Sequence, residues 1–195
     1  DLLKWKEEDG KTALLIEGAR RVGKSTIIEE FAKNEYRSYI LIDFSIASLE
    51  IKSLFEHYAS NLDDFFFFLT SITGVTLYPR ESVIIFDEVQ LYPLARQLIK
   101  HLVKDNRYDY IQTGSLLSIK RNVKDILIPS EERSLKMHPL DFEEFCWAIN
   151  RDDLIPLIKK HFKELKPLNQ LHQTVMKFFR QYLLVGGMPQ AIVEF

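Results

Sequence analysis

The stretch GARRVGKS, residues 18–25, brings together two glycines five positions apart, a lysine and a serine. Glycine lets the backbone turn tightly, so that successive N–H groups can point at one anion. In the pattern G-x-x-x-x-G-K-[ST], the lysine contacts the β and γ phosphates of a nucleotide and the hydroxyl contacts Mg²⁺. The sequence therefore predicts a phosphate-binding loop, and its residues are Gly18, Ala19, Arg20, Arg21, Val22, Gly23, Lys24, Ser25 and Thr26.

A pair of acidic residues, Asp87 and Glu88, follows an apolar run in the stretch VIIFDEVQ. Two carboxylates at the tip of a buried strand favour a cation nearby, because burying unpaired charge is costly. We expect Asp87 and Ser25 to hold Mg²⁺, and Glu88 to orient or deprotonate the attacking water. Taken alone, the acidic pair fits a solvated strand end equally well. The loop at 18–25 is what favours the functional interpretation.

Another strand end, in the stretch IQTGS, carries Thr113 and Ser115. A hydroxyl at this place could hold the water beside the γ-phosphate, if the strand lies between those of the two motifs above. We favour Thr113 for this role and keep Ser115 and Gln90 as alternatives, since a Thr-Gly-Ser turn is also ordinary loop chemistry. The predicted catalytic residues are therefore Glu88, Lys24 and Thr113.

The elements that must position these residues alternate along most of the chain. Apolar runs predict buried strands at 12–18, 38–45, 82–88, 108–115 and 133–140. Helical spacing separates them, most clearly at 24–34 and 93–105. Strands that alternate with helices in this way are typical of an α/β fold with a parallel sheet. From about residue 140 the pattern becomes mostly helical. We therefore expect a P-loop core over 1–139 and a helical C-terminal subdomain over 140–195.

Composition narrows the class of protein. The net charge of −2 among 195 residues argues weakly against a dedicated DNA-binding protein and leaves a local basic strip open. The single cysteine, Cys146, excludes an intramolecular disulfide and fits a reducing compartment. Because no apolar run approaches the ~20 residues that span a bilayer, we expect a cytoplasmic protein without a membrane partner. The chain lacks an initiating Met and stops within an apolar stretch, so we expect a longer protein.

Several classes of P-loop protein need motifs that this chain lacks. The Asn-Lys-x-Asp tetrapeptide of GTPases is absent, which favours adenine over guanine, and so is the LSGGQ signature of ABC transporters. DEVQ is similar to a helicase box, but helicases need two motor domains. Two alternatives to an ATPase remain: a nucleotide-dependent scaffold with negligible turnover, and a P-loop kinase of small molecules.

Five stretches together resemble one family. GARRVGKS, IIFDEVQ, TGSLLSI, HPLDFEEF and LLVGGMPQAIVEF occur in the same order as in AAA-like P-loop ATPases of bacteria and archaea. The first two stretches are common to many ATPases, whereas PLDFEEF and GGMPQA are the more specific marks. The resemblance covers nearly the whole chain.

The resemblance implies a P-loop core whose parallel sheet has the strand order 5-1-4-3-2, with ATP and Mg²⁺ as ligands. It also implies a nuclease-like C-terminal domain of unknown function beyond Phe195. Related ATPases often receive an arginine finger from a neighbouring subunit, so a homo-oligomer is open, and so is nucleic acid as a partner. In this chain Arg121 and Arg133 are candidate fingers, although a solvated basic face formed with Lys120 and Lys124 is the stronger hypothesis.

Overall fold

A computed structural model describes residues 1–115 and 131–195. The strands are β1 (Ala13–Gly18), β2 (Ser38–Asp43), β3 (Ser82–Asp87), β4 (Asp109–Ser115) and β5 (Glu132–Met137). The helices up to β5 are α1 (Leu2–Lys6), α2 (Lys24–Glu35), α3 (Leu49–His57), α4 (Leu62–Thr73) and α5 (Pro93–Asp105). The later helices are α6 (Phe142–Ala148), α7 (Leu154–Lys163), α8 (Leu171–Val185) and α9 (Pro189–Glu194).

The described strands form one parallel sheet of five in the order β2-β3-β4-β1-β5. This confirms the predicted order 5-1-4-3-2 and places β4 between the strand of the loop and the acidic strand. The register pairs Gly18 with Ser115 across β1 and β4. Because all the strands run in the same direction, the polar residues at their carboxyl ends meet at one edge of the sheet.

Helices cover both faces of this sheet, as the alternating pattern predicts. On one face α1 and α2 contribute Trp5, Ile28 and Phe31 to a buried cluster with the side chains of β1, β3 and β4. On the other face α3, α4 and α5 pack against the alternate residues of the strands. β3 is buried along its whole length, which explains its unbroken apolar sequence before Asp87.

The four consecutive phenylalanines of α4 divide between core and surface. Phe65 and Phe66 are buried, and Phe68 packs against the same core from a partly buried position. Phe67 is 66% exposed. A helix turns by about 100° per residue, so four successive side chains must point in different directions. The helix therefore lies against the core and leaves one phenylalanine at the surface.

The chain divides into two compact units, one of Asp1–Gly18 with Lys24–Met137 and one of Ala19–Gly23 with His138–Phe195. In the second unit the two more specific stretches of the sequence meet. The backbone N–H of Leu140 donates to the carbonyl of Gly187 at 2.8 Å, and the Tyr182 hydroxyl donates to the Leu140 carbonyl at 3.1 Å. A side chain at position 187 would overlap the Leu140 carbonyl oxygen, so this close approach requires glycine.

Sequence patterns missed some short elements. They do not mark α1, nor the 3₁₀ helix Val89–Leu91 that follows Glu88. Within residues 1–115 and 131–195, no helix combines the length and the apolar character needed to cross a bilayer.

Candidate functional site

The candidate site lies at the carboxyl edge of the sheet, where β1, β4 and β3 end beside one another. Ile16 of β1 pairs with Thr113 of β4, and Phe86 of β3 pairs with Gln112. The next residue on β3, Asp87, therefore stands level with Thr113. The register of the strands therefore places the Thr113 hydroxyl level with the Asp87 carboxylate.

The loop Ala19–Gly23 joins β1 to α2 and has the backbone that its glycine pattern predicts. Gly23 has φ +93° and Arg21 has φ +66°. The left-handed region is easy for glycine and costs an arginine conformational energy. The side chains of Arg20 and Arg21 are exposed, whereas Val22 is buried.

Lys24 begins α2, and its side chain is only 4% exposed. Its Nζ donates to the Gly18 carbonyl at 3.3 Å, which holds the ammonium at the end of β1. Burial lowers the pKa of Lys24, and the negative charges of Glu88 and Asp87 oppose that shift. The ammonium is thus largely buried and lies close to two carboxylates.

Asp87 is 6% exposed and receives hydrogen bonds from two hydroxyls. The Ser25 Oγ donates to Asp87 Oδ2 at 2.8 Å, and the Thr113 Oγ1 donates to Asp87 Oδ1. Ser25 and Asp87 are 62 positions apart in sequence, so only the fold brings them together. A hydroxyl oxygen beside a carboxylate is the kind of donor set that a hard cation such as Mg²⁺ prefers.

Glu88 has a backbone conformation that its sequence does not reveal. Its φ is +54° and its ψ is 43°, in the left-handed region that few residues other than glycine adopt. Its N–H donates to Thr113 Oγ1 at 3.0 Å, and its carboxylate accepts a hydrogen bond from Gln90 Nε2. Thr113 is fully buried, and its hydroxyl is engaged by Asp87 and by the peptide of Glu88.

One more carboxylate ends a neighbouring strand. Asp43 is the last residue of β2 and pairs in register with Asp87. Its Oδ1 accepts a hydrogen bond from the Ser45 N–H at 2.8 Å, so it stabilises the turn after the strand. The stretch ILIDFS carried the signal for it, an acidic residue directly after an apolar run. Sequence reasoning did not single it out.

Comparison with known families decides which P-loop class this is. The model of an AAA domain family matches residues 10–146, which include the loop, the acidic strand end and Thr113. The chain belongs to the AAA domain family. This membership agrees with the resemblance inferred from the sequence and indicates a nucleotide-dependent ATPase core.

A curated relative of this AAA chain is an uncharacterized protein, MJ1637, of Methanocaldococcus jannaschii. The two are 22% identical over 204 residues, which cover 98% of this chain and 41% of the relative. The chain thus spans about two fifths of the length of the relative that it matches.

Two solved structures are similar to this AAA chain, and one of them, PCH-2, supports the fold. C. elegans PCH-2 matches with a TM-score of 0.52 at 11% identity, over 99% of this chain and 57% of that one. Aeropyrum pernix ORC1, solved in complex with DNA, matches at 11% identity over 78% of this chain and 48% of that one, with a TM-score of 0.49. At this level of identity the likeness shows the fold alone.

Of the basic residues predicted as candidate arginine fingers or as a basic face, the structure describes only Arg133. Arg121, Lys120 and Lys124 lie outside the described residues. Arg133 lies on β5 and forms an ion pair with Glu8.

In the described part of the chain, no group of three or more His, Cys, Asp or Glu residues is arranged to hold a metal ion. Any Mg²⁺ held at Ser25 and Asp87 would therefore need further oxygen ligands from a nucleotide or from water.

Proposed function

We propose that this AAA chain binds ATP with Mg²⁺ and hydrolyses it, and that hydrolysis drives or switches an attached domain or partner. The contact between Ser25 and Asp87 carries the proposal, because these residues come from the two motifs predicted to share one metal ion. Lys24 lies beside them as a buried cation. P-loop NTPases use this combination of lysine, hydroxyl and carboxylate to bind a nucleotide and its Mg²⁺.

Each residue of the site has a role in this proposal. The backbone N–H groups of residues 18–23 and the start of α2, with Thr26, bind the phosphates. Lys24 binds the β and γ phosphates, while Ser25 and Asp87 bind Mg²⁺. Bound ATP supplies the phosphoryl group that is transferred to water. Glu88 accepts a proton from that water. Thr113 was predicted to hold the water, but its buried hydroxyl is bonded to Asp87 and to the Glu88 N–H, so we assign it the role of holding those two residues in place.

The attached domain is part of the same proposal. The matched relative is longer than this chain, which leaves room for a further domain in proteins of this kind. We assign the ATPase core to residues 1–139 and a helical C-terminal subdomain to residues 140–195. A homo-oligomer and the nuclease-like domain implied by the sequence resemblance complete the expected partners.

Two substitutions test the proposal. Lys24→Ala removes the cation on the phosphates and is expected to abolish binding of a fluorescent ATP analogue in a folded protein. Glu88→Gln keeps the shape of the side chain and removes the base, so it is expected to retain ATP binding and to lose at least 100-fold in phosphate release. Binding is measured by fluorescence titration and turnover by steady-state phosphate release with Mg²⁺.

Lys33→Ala is the matched control, because Lys33 lies on the same helix but is exposed and pairs with Glu29 and Glu30. This variant should bind and hydrolyse ATP as the parent does. Unchanged affinity in folded Lys24→Ala protein would contradict the phosphate-binding loop. Turnover at the parental rate in Glu88→Gln would contradict the base. Binding without measurable turnover in the parent would instead indicate a scaffold.

A further inference from the structure

Gln90 is a buried amide next to the proposed base, in a turn that the proposed roles above leave without a function. It belongs to the 3₁₀ helix Val89–Leu91 and is 8% exposed. Its Nε2 donates to Glu88 Oε2, two residues back along the chain. Within residues 1–115 and 131–195, Gln90 is the side chain that donates a hydrogen bond to the Glu88 carboxylate.

The conformation of Glu88 makes this contact possible. Glu88 has left-handed backbone angles and directly precedes the 3₁₀ helix Val89–Leu91, and in this tight turn the Gln90 amide lies within hydrogen-bond reach of the Glu88 carboxylate. Such a conformation persists in a non-glycine residue only where its surroundings fix it. Here the N–H of Glu88 is fixed by Thr113 Oγ1 at 3.0 Å. Gln90 fixes the other end of the same residue.

The chemistry of an amide suits this task. Glutamate has several rotatable bonds, and a general base must keep one orientation to meet the proton it abstracts. A neutral donor fixes a carboxylate without cancelling its charge, whereas a lysine or an arginine would pair with it. The amide donates to one carboxylate oxygen, Oε2. We expect the other oxygen, Oε1, to face the attacking water.

We propose that Gln90 is a positioning residue that sets the orientation of the Glu88 carboxylate toward the attacking water. This inference rests on the proposed function, because it assumes that Glu88 is the base. Gln90 is expected to act on the chemical step alone. Its removal should lower kcat and leave the affinity for ATP unchanged.

The test replaces Gln90 in the intact chain. Gln90→Met has a similar length but no donor, and is expected to lower kcat about 10-fold, with KM and ATP affinity within twofold of the parent. Gln90→Glu places a second carboxylate against Glu88 and is expected to lower kcat further, because like charges repel. Gln97→Met is the matched control, since Gln97 is exposed on the following helix, and it should keep the parental kcat.

A double-mutant cycle separates this inference from the proposed function. In a Glu88→Ala background, Gln90→Met should have no further effect on the residual turnover, because the carboxylate that it positions is gone. If Glu88→Ala loses most of its turnover while Gln90→Met keeps the parental kcat, our inference is wrong and the proposed base stands. If Glu88→Ala retains full turnover, the proposed base and its positioning by Gln90 both fail. A Gln90→Met defect that is confined to KM would also overturn positioning.

Discussion

Two buried polar clusters lie on the same sheet, and their carboxylates have different partners. At the carboxyl edge, Asp87 accepts hydrogen bonds from the hydroxyls of Ser25 and Thr113. Toward the amino edge, Glu132 at the start of β5 forms an ion pair with Arg96 of α5 at 2.8 Å. The side chains of that pair are 4% and 3% exposed. Gln112 Nε2 donates to the other oxygen of Glu132 at 2.8 Å.

The difference lies in how the negative charge is balanced. The guanidinium of Arg96 balances the charge of Glu132 within that cluster. Hydroxyls stabilise the charge of Asp87 but do not cancel it, and Glu88 adds a second carboxylate beside it. The ammonium of Lys24 interacts electrostatically with both carboxylates. The first cluster balances its own charge and is expected to stabilise the fold, whereas the second is where the proposed magnesium ion would bind.

The largest loss of stability is expected from breaking the ion pair between Arg96 and Glu132. Arg96→Met leaves Glu132 buried without its cation, which costs on the order of 3–5 kcal/mol in the free energy of unfolding. Urea unfolding measures that loss. ATP affinity in the protein that remains folded should stay near the parental value, because Arg96 pairs with Glu132 at the start of β5, whereas Ser25 and Asp87 meet at the carboxyl edge.

The control for this loss is Lys33→Met, which removes an exposed ion pair on α2. Exposed pairs contribute little, because water screens them. An Arg96→Met protein as stable as the Lys33→Met protein would remove the distinction between the two clusters. Loss of ATP affinity in folded Arg96→Met protein would contradict the assignment of this cluster to the fold.

A smaller effect, on both stability and activity, is expected at Thr113. Thr113→Val keeps the shape but leaves the Glu88 N–H without its acceptor and Asp87 without one donor. Leaving such buried groups unpaired costs about 1–3 kcal/mol. Urea unfolding should show this loss of stability. The rate of phosphate release should also fall, because the hydroxyl no longer holds Asp87 and the peptide of Glu88 in place.

Thr113→Ser sharpens the test, because serine retains the hydroxyl and loses only a methyl group. It should recover most of the turnover that the valine variant loses. A valine variant with parental turnover would show that the hydroxyl has no part in the site.

Sequence patterns predicted the bounds of the strands and the helix around this site closely, for a physical reason. α5 extends from Pro93 to Asp105 as predicted, since proline suits a first turn and the apolar spacing continues to the end. β3 and β4 agree with their predictions within one residue at each end, because fully buried strands have unbroken apolar sequences. The predicted strand order is also confirmed, although it came from the family resemblance and not from periodicity.

The contacts that complete both clusters could not be predicted in this way. Arg96 and Glu132 are 36 positions apart, and Arg96 looks like any polar position of an amphipathic helix. The left-handed backbone of Glu88 depends on a hydroxyl 25 residues later in the chain. Side-chain pairs across elements are set by register and packing, which local patterns do not contain. The roles predicted for Glu88, Lys24 and Thr113 stay predictions until the variants are measured.

The smallest expected effect is a gain in stability from Lys24→Met. Burial lowers the pKa of Lys24 below its ordinary value of 10.5, so the charged form is less favourable in the folded chain than in the unfolded one. At neutral pH the charged lysine therefore opposes folding. Replacing it with an apolar side chain of similar length is expected to add about 1 kcal/mol to the free energy of unfolding without ATP, as is common where function costs stability.

The dependence on pH has a definite sign. As pH rises through the lowered pKa toward 10.5, the folded protein releases the proton of Lys24 before the unfolded chain does. The parent therefore becomes more stable relative to Lys24→Met, and the advantage of the variant shrinks. Urea unfolding of both proteins between pH 7 and roughly pH 10 measures this difference in stability, with Lys33→Met as the exposed control that should show no gain.

Lys24→Met should also lose the rise in melting temperature that ATP gives the parent. A variant less stable than the parent at pH 7 would mean that attraction from Glu88 and Asp87 outweighs burial, and that the acidic cluster already has its cation.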